Sequence, residues 1–111
     1  IISNKPTDLT IKTAESFGLL KYFDFIAGSD FFPERKPSPL PIVETIKKFN
    51  TTAEKTLIVG DSEIDIEVAK ATGVKSVAVS YGYRPLELLK NADFIIDKLI
   101  DLINIVREKL K

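Results

Sequence analysis

The chain has 111 residues, with 16 Lys plus Arg balanced by 16 Asp plus Glu, and it contains no His, Cys, Met or Trp. Absent Cys excludes disulfides, thiolate nucleophiles and Cys-ligated zinc. Absent His excludes imidazole bases, triads and His-metal centres, so any chemistry falls to carboxylates, lysines, hydroxyls and backbone amides. Zero net charge offers no basic footprint for nucleic acid, and no apolar run approaches the roughly 18 residues that cross a bilayer. Neither nucleic acid nor membrane is expected as a partner, and a soluble, cytoplasmic protein is the default expectation. With 44% hydrophobic residues, the chain reads as one globular core. It opens Ile1-Ile2-Ser3 without any Met, and so reads as a piece of a longer protein.

In chain order, short apolar runs alternate with segments of helical period, the pattern of a mostly parallel sheet with crossover helices. Ile1-Ile2 reads as the tail of a strand. Ile11, Ala14 and Phe17 then predict a helix over 7–17, stopped by Gly18 in a left-handed cap. Residues 23–27 read as the next strand, followed by an eleven-residue loop, 28–38, long enough to suggest a functional role. Ser38 as N-cap and Pro39 at the first helical position open a helix ending near Asn50, its buried stripe being Ile42, Val43, Ile46 and Phe49. Residues 56–60 give the clearest strand, with Leu57-Ile58-Val59 expected to be buried on both faces. A helix with Ile64, Val68 and Ala71 follows to Gly73, then a strand over 76–80. A short helix over 85–90, a strand at Phe94-Ile95-Ile96 and an amphipathic helix over about 98–110 complete the chain. That last helix has Leu99, Leu102, Ile103, Val106 and Leu110 as its stripe.

In open parallel sheets the ligand crevice lies beyond the carboxyl ends of the strands. Three polar clusters fall there: Ser3-Asn4-Lys5, Arg35-Lys36 and Asp61-Ser62. A hydroxyl, amides and an ammonium suit an anionic oxygen, and a neighbouring Asp suits magnesium. One lysine at about 4 Å from a unit negative charge contributes roughly 4 kcal/mol at an effective dielectric near 20, before desolvation, which favours phosphate over a neutral ligand. Plainer readings stand beside these. Ser3 and Asn4 can cap the first helix, Lys36 can be a solvated lysine in a Pro-rich turn, and Ser62 to Asp65 fits a capping box. Asp61 escapes such an explanation, because it precedes the cap at the end of an apolar strand.

The strings SNKP at 3–6, KPSP at 36–39 and GDSEIDIEVAKATG at 60–73, in this order and spacing, resemble the second, third and fourth motifs of the haloacid-dehalogenase superfamily. Within it, the Ser-Asn-Lys opening and the Gly82 to Arg84 segment are most similar to the phosphoglycolate phosphatases. The resemblance implies an α/β fold, a three-layer Rossmann-like core with a mostly parallel sheet. It also implies a phosphomonoesterase acting on a small phosphorylated metabolite through a phospho-aspartate, with Mg2+ bound nearby. By the matching motifs, Ser3 would hydrogen-bond the phosphoryl group, Asn4 would assist through its backbone amide, and Lys36 would offset negative charge. Asp61 would be the Mg2+ ligand, directly or through water, and Asp65 would help fix Lys36 and the metal's hydration shell, so that its capping and functional readings can both hold.

The family's nucleophile lies in an Asp-x-Asp-Gly-Thr motif ending its first strand, and no such string occurs between Ile1 and Lys111. That strand is central in the family's sheet. The expectation is therefore residues 1–111 as the C-terminal part of a single core domain, lacking the first strand and the cap domain, with a gap in the sheet and no activity by itself. Two alternatives stay open: another member of the superfamily, such as a phosphoglucomutase or a sugar or nucleotide phosphatase, and a non-catalytic, receiver-like module that binds phosphate in the same crevice.

Overall fold

The computed structural model describes residues 1–82 and 85–109. Its principal elements are α1 (Thr7–Ser16), α2 (Leu40–Lys48), β1 (Leu57–Gly60), α3 (Glu63–Thr72), β2 (Lys75–Val79), β3 (Phe94–Ile96) and α4 (Leu102–Lys109). The strands form a parallel sheet in the order β1-β2-β3, with Val59 opposite Val77 and Val77 opposite Phe94. Successive strand side chains point to opposite faces. Ile58 accordingly packs with Ile42 of α2 and Val68 of α3, and Ala78 meets Ile66 of α3 and the fully buried Leu89. On the other face, Leu57, Val77, Val79 and Ile96 pack against Leu102 and Ile105 of α4. The result is the expected three-layer α/β arrangement.

The helix ends follow local rules. Ser62 is extended at φ −132° and ψ 151°, and its hydroxyl accepts the Ile64 amide; Gly73 closes α3 in the left-handed region at φ 73°. Gly18, at φ 68°, lies just past the end of α1 in the same way. The reciprocal capping box does not form, however. The Asp65 amide bonds the Ser62 carbonyl, while the Asp65 carboxylate turns to Lys36. Nor do Ser3 and Asn4 cap α1, whose N-cap is Pro6.

Other expectations shift where packing overrides pattern. The strand expected over 23–27 contracts to one parallel bridge, Ala27 to Ile2, because a strand needs a paired neighbour along its length. The second helix begins at Leu40, not Pro39, and its Val43 and Phe49 are exposed. Ala71 of α3 is exposed as well, and Ile66 and Ala69 are buried in its place. The segment over 85–90 is a 3-10 turn, Leu86–Leu89, and another 3-10 turn, Leu99–Asp101, precedes α4. Leu99, Ile103 and Val106 are exposed, and Leu102 with Ile105 forms the packed face instead. Tyr83, Arg84 and Leu110 lie outside the described residues.

Val59 retains 39% of its surface, against the expectation of burial on both faces. Among the described residues, β1 pairs with β2 along one edge only. Facing the other edge is the Ile2–Ala27 bridge, held by Ser3 N to Ala27 O and Ala27 N to Ile1 O, both 2.9 Å. Among the described residues no ladder joins that bridge to β1. A hollow of about 370 Å³ separates them, its wall including Ile1, Ile2, Ile42, Ile46, Ile58 and Val59, together with Lys36 and Asp65. This is the gap that the resemblance implies.

Candidate functional site

Lys36 ends its loop at the sheet rim, where Asn4 Nδ2 donates to its backbone carbonyl at 2.8 Å. The Lys36 Nζ donates to Asp65 Oδ1 at 2.7 Å, and the two side chains are only 13% and 14% exposed. The plain reading of Lys36 as a solvated turn residue is therefore set aside. Asp65 can lean back over the strand end because residue 60 is glycine. A Cβ there would collide with the Asp65 carboxylate. Asn4, Lys36, Ser62, Ile64 and Asp65 together line a hollow of about 150 Å³. Asn4 Oδ1 is buried there without a hydrogen-bond partner among the described residues, a state that few buried polar groups adopt.

Asp61 and Ser3 stand differently. Asp61 is exposed at the end of β1 and packs beneath Gly82, where a Cβ would lie 2.5 Å from the Asp61 Cβ and 2.9 Å from its Oδ2. The Ser3 hydroxyl accepts the Lys5 amide at 3.0 Å, and Ser3 lines a separate hollow with Lys5, Thr10, Ala14 and Phe17. The structure thus brings Asn4, Lys36 and Asp65 together, and joins neither Ser3 nor Asp61 to Lys36 or Asp65 by a hydrogen bond or ion pair among the described residues.

The Ile1 ammonium, donating to the Phe25 carbonyl at 2.7 Å, is held below its ordinary value by burial first and by the Lys36 charge second. Asp30 is held below the usual carboxylate range, chiefly by hydrogen bonds from the Thr7 hydroxyl and then the Thr7 amide.

The family model of the haloacid dehalogenase-like hydrolases matches residues 1–79, which contain all three motifs. The chain belongs to the haloacid dehalogenase-like hydrolase family. A phosphoglycolate phosphatase from Aquifex aeolicus (strain VF5) is 38% identical over 106 residues, 96% of this chain and 49% of that protein. One from Neisseria gonorrhoeae (strain ATCC 700825 / FA 1090) is 43% identical over 93 residues, 84% of this chain and 39% of that protein. The crystal structure of a predicted phosphoglycolate phosphatase from Haemophilus somnus 129PT superposes with a TM-score of 0.86 at 31% identity, covering 94% of this chain and 47% of that one. The chain spans about half the length, or less, of these relatives.

A magnesium ion, which the family implies, can be tested against these side chains. Mg2+ is commonly held by one or two carboxylates, with waters and substrate phosphate oxygens completing its octahedron. Asp61 has no hydrogen bond or ion pair among the described residues, whereas Asp65 is engaged by Lys36. No cluster of three or more acidic, His or Cys side chains capable of caging a cation occurs among the described residues. An exposed carboxylate without a described partner suits a cation that draws most of its ligands from elsewhere.

Sequence reasoning missed Asp30 and Thr7, and the seats that Gly60 and Gly82 give to two carboxylates. A glycine closing a strand directly before Asp61 was the available signal for Gly60, since glycine there marks close approach. Asp30 gave no local signal, because its partner Thr7 is 23 positions away.

Proposed function

We propose that this chain is the C-terminal part of the core of a Mg2+-dependent phosphomonoester hydrolase of the phosphoglycolate phosphatase kind, acting on a small phosphorylated metabolite. The observation that carries the reading is the Lys36–Asp65 pair. Two motif residues 29 positions apart meet at 2.7 Å, nearly withdrawn from water, at the rim of a parallel sheet. An ammonium so placed is oriented by a carboxylate and a carbonyl-bound loop, and needs little reorganisation to meet negative charge on a phosphoryl oxygen.

In this reading Lys36 binds and offsets that charge, and Asp65 keeps the ammonium in place. Asn4 contributes its amide, and Ser3 turns its hydroxyl from Lys5 toward the phosphoryl oxygen. Asp61 holds Mg2+, which when bound supplies neutralisation of the phosphate charge. The aspartate that attacks phosphorus belongs to a strand outside residues 1–111. The 370 Å³ hollow between Ile2 and β1 supports that assignment, because β1 and the Ile2–Ala27 bridge leave between them room for a further segment.

Two assays test the reading. The purified 111-residue chain should give no Mg2+-dependent hydrolysis of p-nitrophenyl phosphate above buffer, and measurable turnover would contradict the missing nucleophile. In a protein that carries the upstream half, Lys36→Met should lower kcat by about a hundredfold or more with the fold retained. An unchanged kcat would remove Lys36 from the site.

A further inference from the structure

The loop over 28–38 delivers Lys36, yet no regular secondary structure supports it between Ala27 and Leu40. It is fastened near its start to the segment that follows Ile2. Thr7 N donates to Asp30 Oδ1 at 2.8 Å, and the Thr7 hydroxyl donates to the same oxygen while accepting the Gly28 amide at 2.9 Å. Ser29 N donates to the Lys5 carbonyl at 2.9 Å. Gly28 lies flat on that backbone, since a Cβ there would collide with Thr7 N and Lys5 O. The far end of the loop is fastened to the same segment by Asn4 Nδ2 on the Lys36 carbonyl. The loop is thus a span with both ends tied to residues 4–7, and its length between Asp30 and Lys36 is fixed.

We infer that Asp30 is a positioning residue: through Thr7 it sets the register of the 28–38 loop on the 4–7 segment, and so places the Lys36 ammonium on Asp65. Local side-chain acceptors of this kind also cap helices, and Asp30 serves α1 as an N-terminal acceptor in place of the absent Pro6 side-chain cap. One carboxylate therefore couples the start of α1 to the cation at the rim. A competing hold exists in the loop itself, where Phe31 and Phe32 pack edge-on against Phe25 with ring centroids 5.1 and 6.4 Å apart. If those rings alone placed the loop, Asp30 would be dispensable. The catalytic meaning of the brace rests on the role proposed for Lys36, but the brace itself is readable without turnover.

The test is acetylation of the 111-residue chain with an N-hydroxysuccinimide ester, mapped lysine by lysine by mass spectrometry. Exposed Lys47 serves as the internal reference. Lys36 should react about tenfold more slowly than Lys47 in the parent, because its amine is withheld until the loop opens locally. Asp30→Ala should raise the Lys36 rate at least about fivefold relative to Lys47, while Asp30→Asn, which keeps an acceptor oxygen for Thr7, should restore most of the protection. Exchange of the Ser76 amide, bonded to Asp93 on the opposite part of the sheet, reports whether the core has stayed folded. Unchanged Lys36 reactivity in folded Asp30→Ala overturns the inference, and so does failure of Asp30→Asn to restore protection. If Asp30→Ala unfolds, Thr7→Val decides: faster Lys36 acetylation with a protected Ser76 amide supports the brace, and parent-like reactivity overturns it. A null result for Lys36→Met in turnover would remove the catalytic reading and leave this measurement standing.

Discussion

Two glycines with opposite surroundings separate strain from crowding. Gly73 sits at φ 73° with nothing within 4 Å of where an alanine methyl would lie, so Gly73→Ala meets only backbone strain, costing about 1 kcal/mol. Gly60 has no positive φ, but a methyl group there would collide with the Asp65 carboxylate. Gly60→Ala should therefore cost more, about 1–3 kcal/mol, and should also expose Lys36 by displacing its partner. Urea denaturation of both variants checks the order; a Gly60→Ala midpoint equal to the parent's would mean that Asp65 is not held as described. Asp30 gives a pH dependence whose sign is fixed. Its folded value lies below its ordinary 3.8, so its contribution is present above 3.8 and is lost as pH falls through the lowered folded value. The stability difference between parent and Asp30→Asn should be level well above 3.8 and shrink as pH falls below it. A difference that grows in acid would contradict the Thr7 bonds as its cause.

At the level of elements, α3 carries more of the architecture than its length suggests. Ile66, Val68 and Ala69 bury its inner face, its first turn offers Asp65 to Lys36, and Ser62 and Gly73 define its ends. Removing the cap with Ser62→Ala should cost about 1 kcal/mol, seen as a lower urea midpoint with an unchanged slope. An unaltered midpoint would show that the Ile64 amide finds water equally well. The helices, β1, β2, β3 and the two left-handed glycines were legible because each follows from local periodicity and end chemistry. Val43, Phe49, Ala71, Leu99, Ile103 and Val106 were misplaced because an apolar stripe states which face can be buried. Whether a neighbour arrives to bury it depends on the packing of other elements. The 23–27 segment failed as a strand for a related reason, since Ala27 alone finds a partner.

Over the whole molecule, pairing is uneven. β2 has a neighbour on both sides, β1 on one, and the Ile2–Ala27 bridge stands apart across the hollow. Amide exchange should follow that order, with Val77 and Ala78 the slowest and the Ser3 and Ala27 amides faster by about a hundredfold or more, although both make 2.9 Å bonds. Equal protection across the set would show that the two parts of the sheet open as one unit. Of the candidate site, the motif order made the meeting of Lys36 and Asp65 legible. The Asn4 carboxamide on the Lys36 carbonyl and the Thr7–Asp30 tie were not, because each joins residues more than twenty positions apart.

By itself the sequence determined the α/β alternation, the Ser62 and Gly73 ends of α3 and the residue types available for chemistry, since those follow from side-chain period, backbone restriction and composition. Tertiary structure alone decided that the Asp65 carboxylate gives up the capping box to reach Lys36, that Asp30 serves a helix it does not belong to, and that the Asn4 carboxamide holds the Lys36 carbonyl. Each of these depends on which distant groups come within hydrogen-bonding reach, and that distance exists only once the chain is folded.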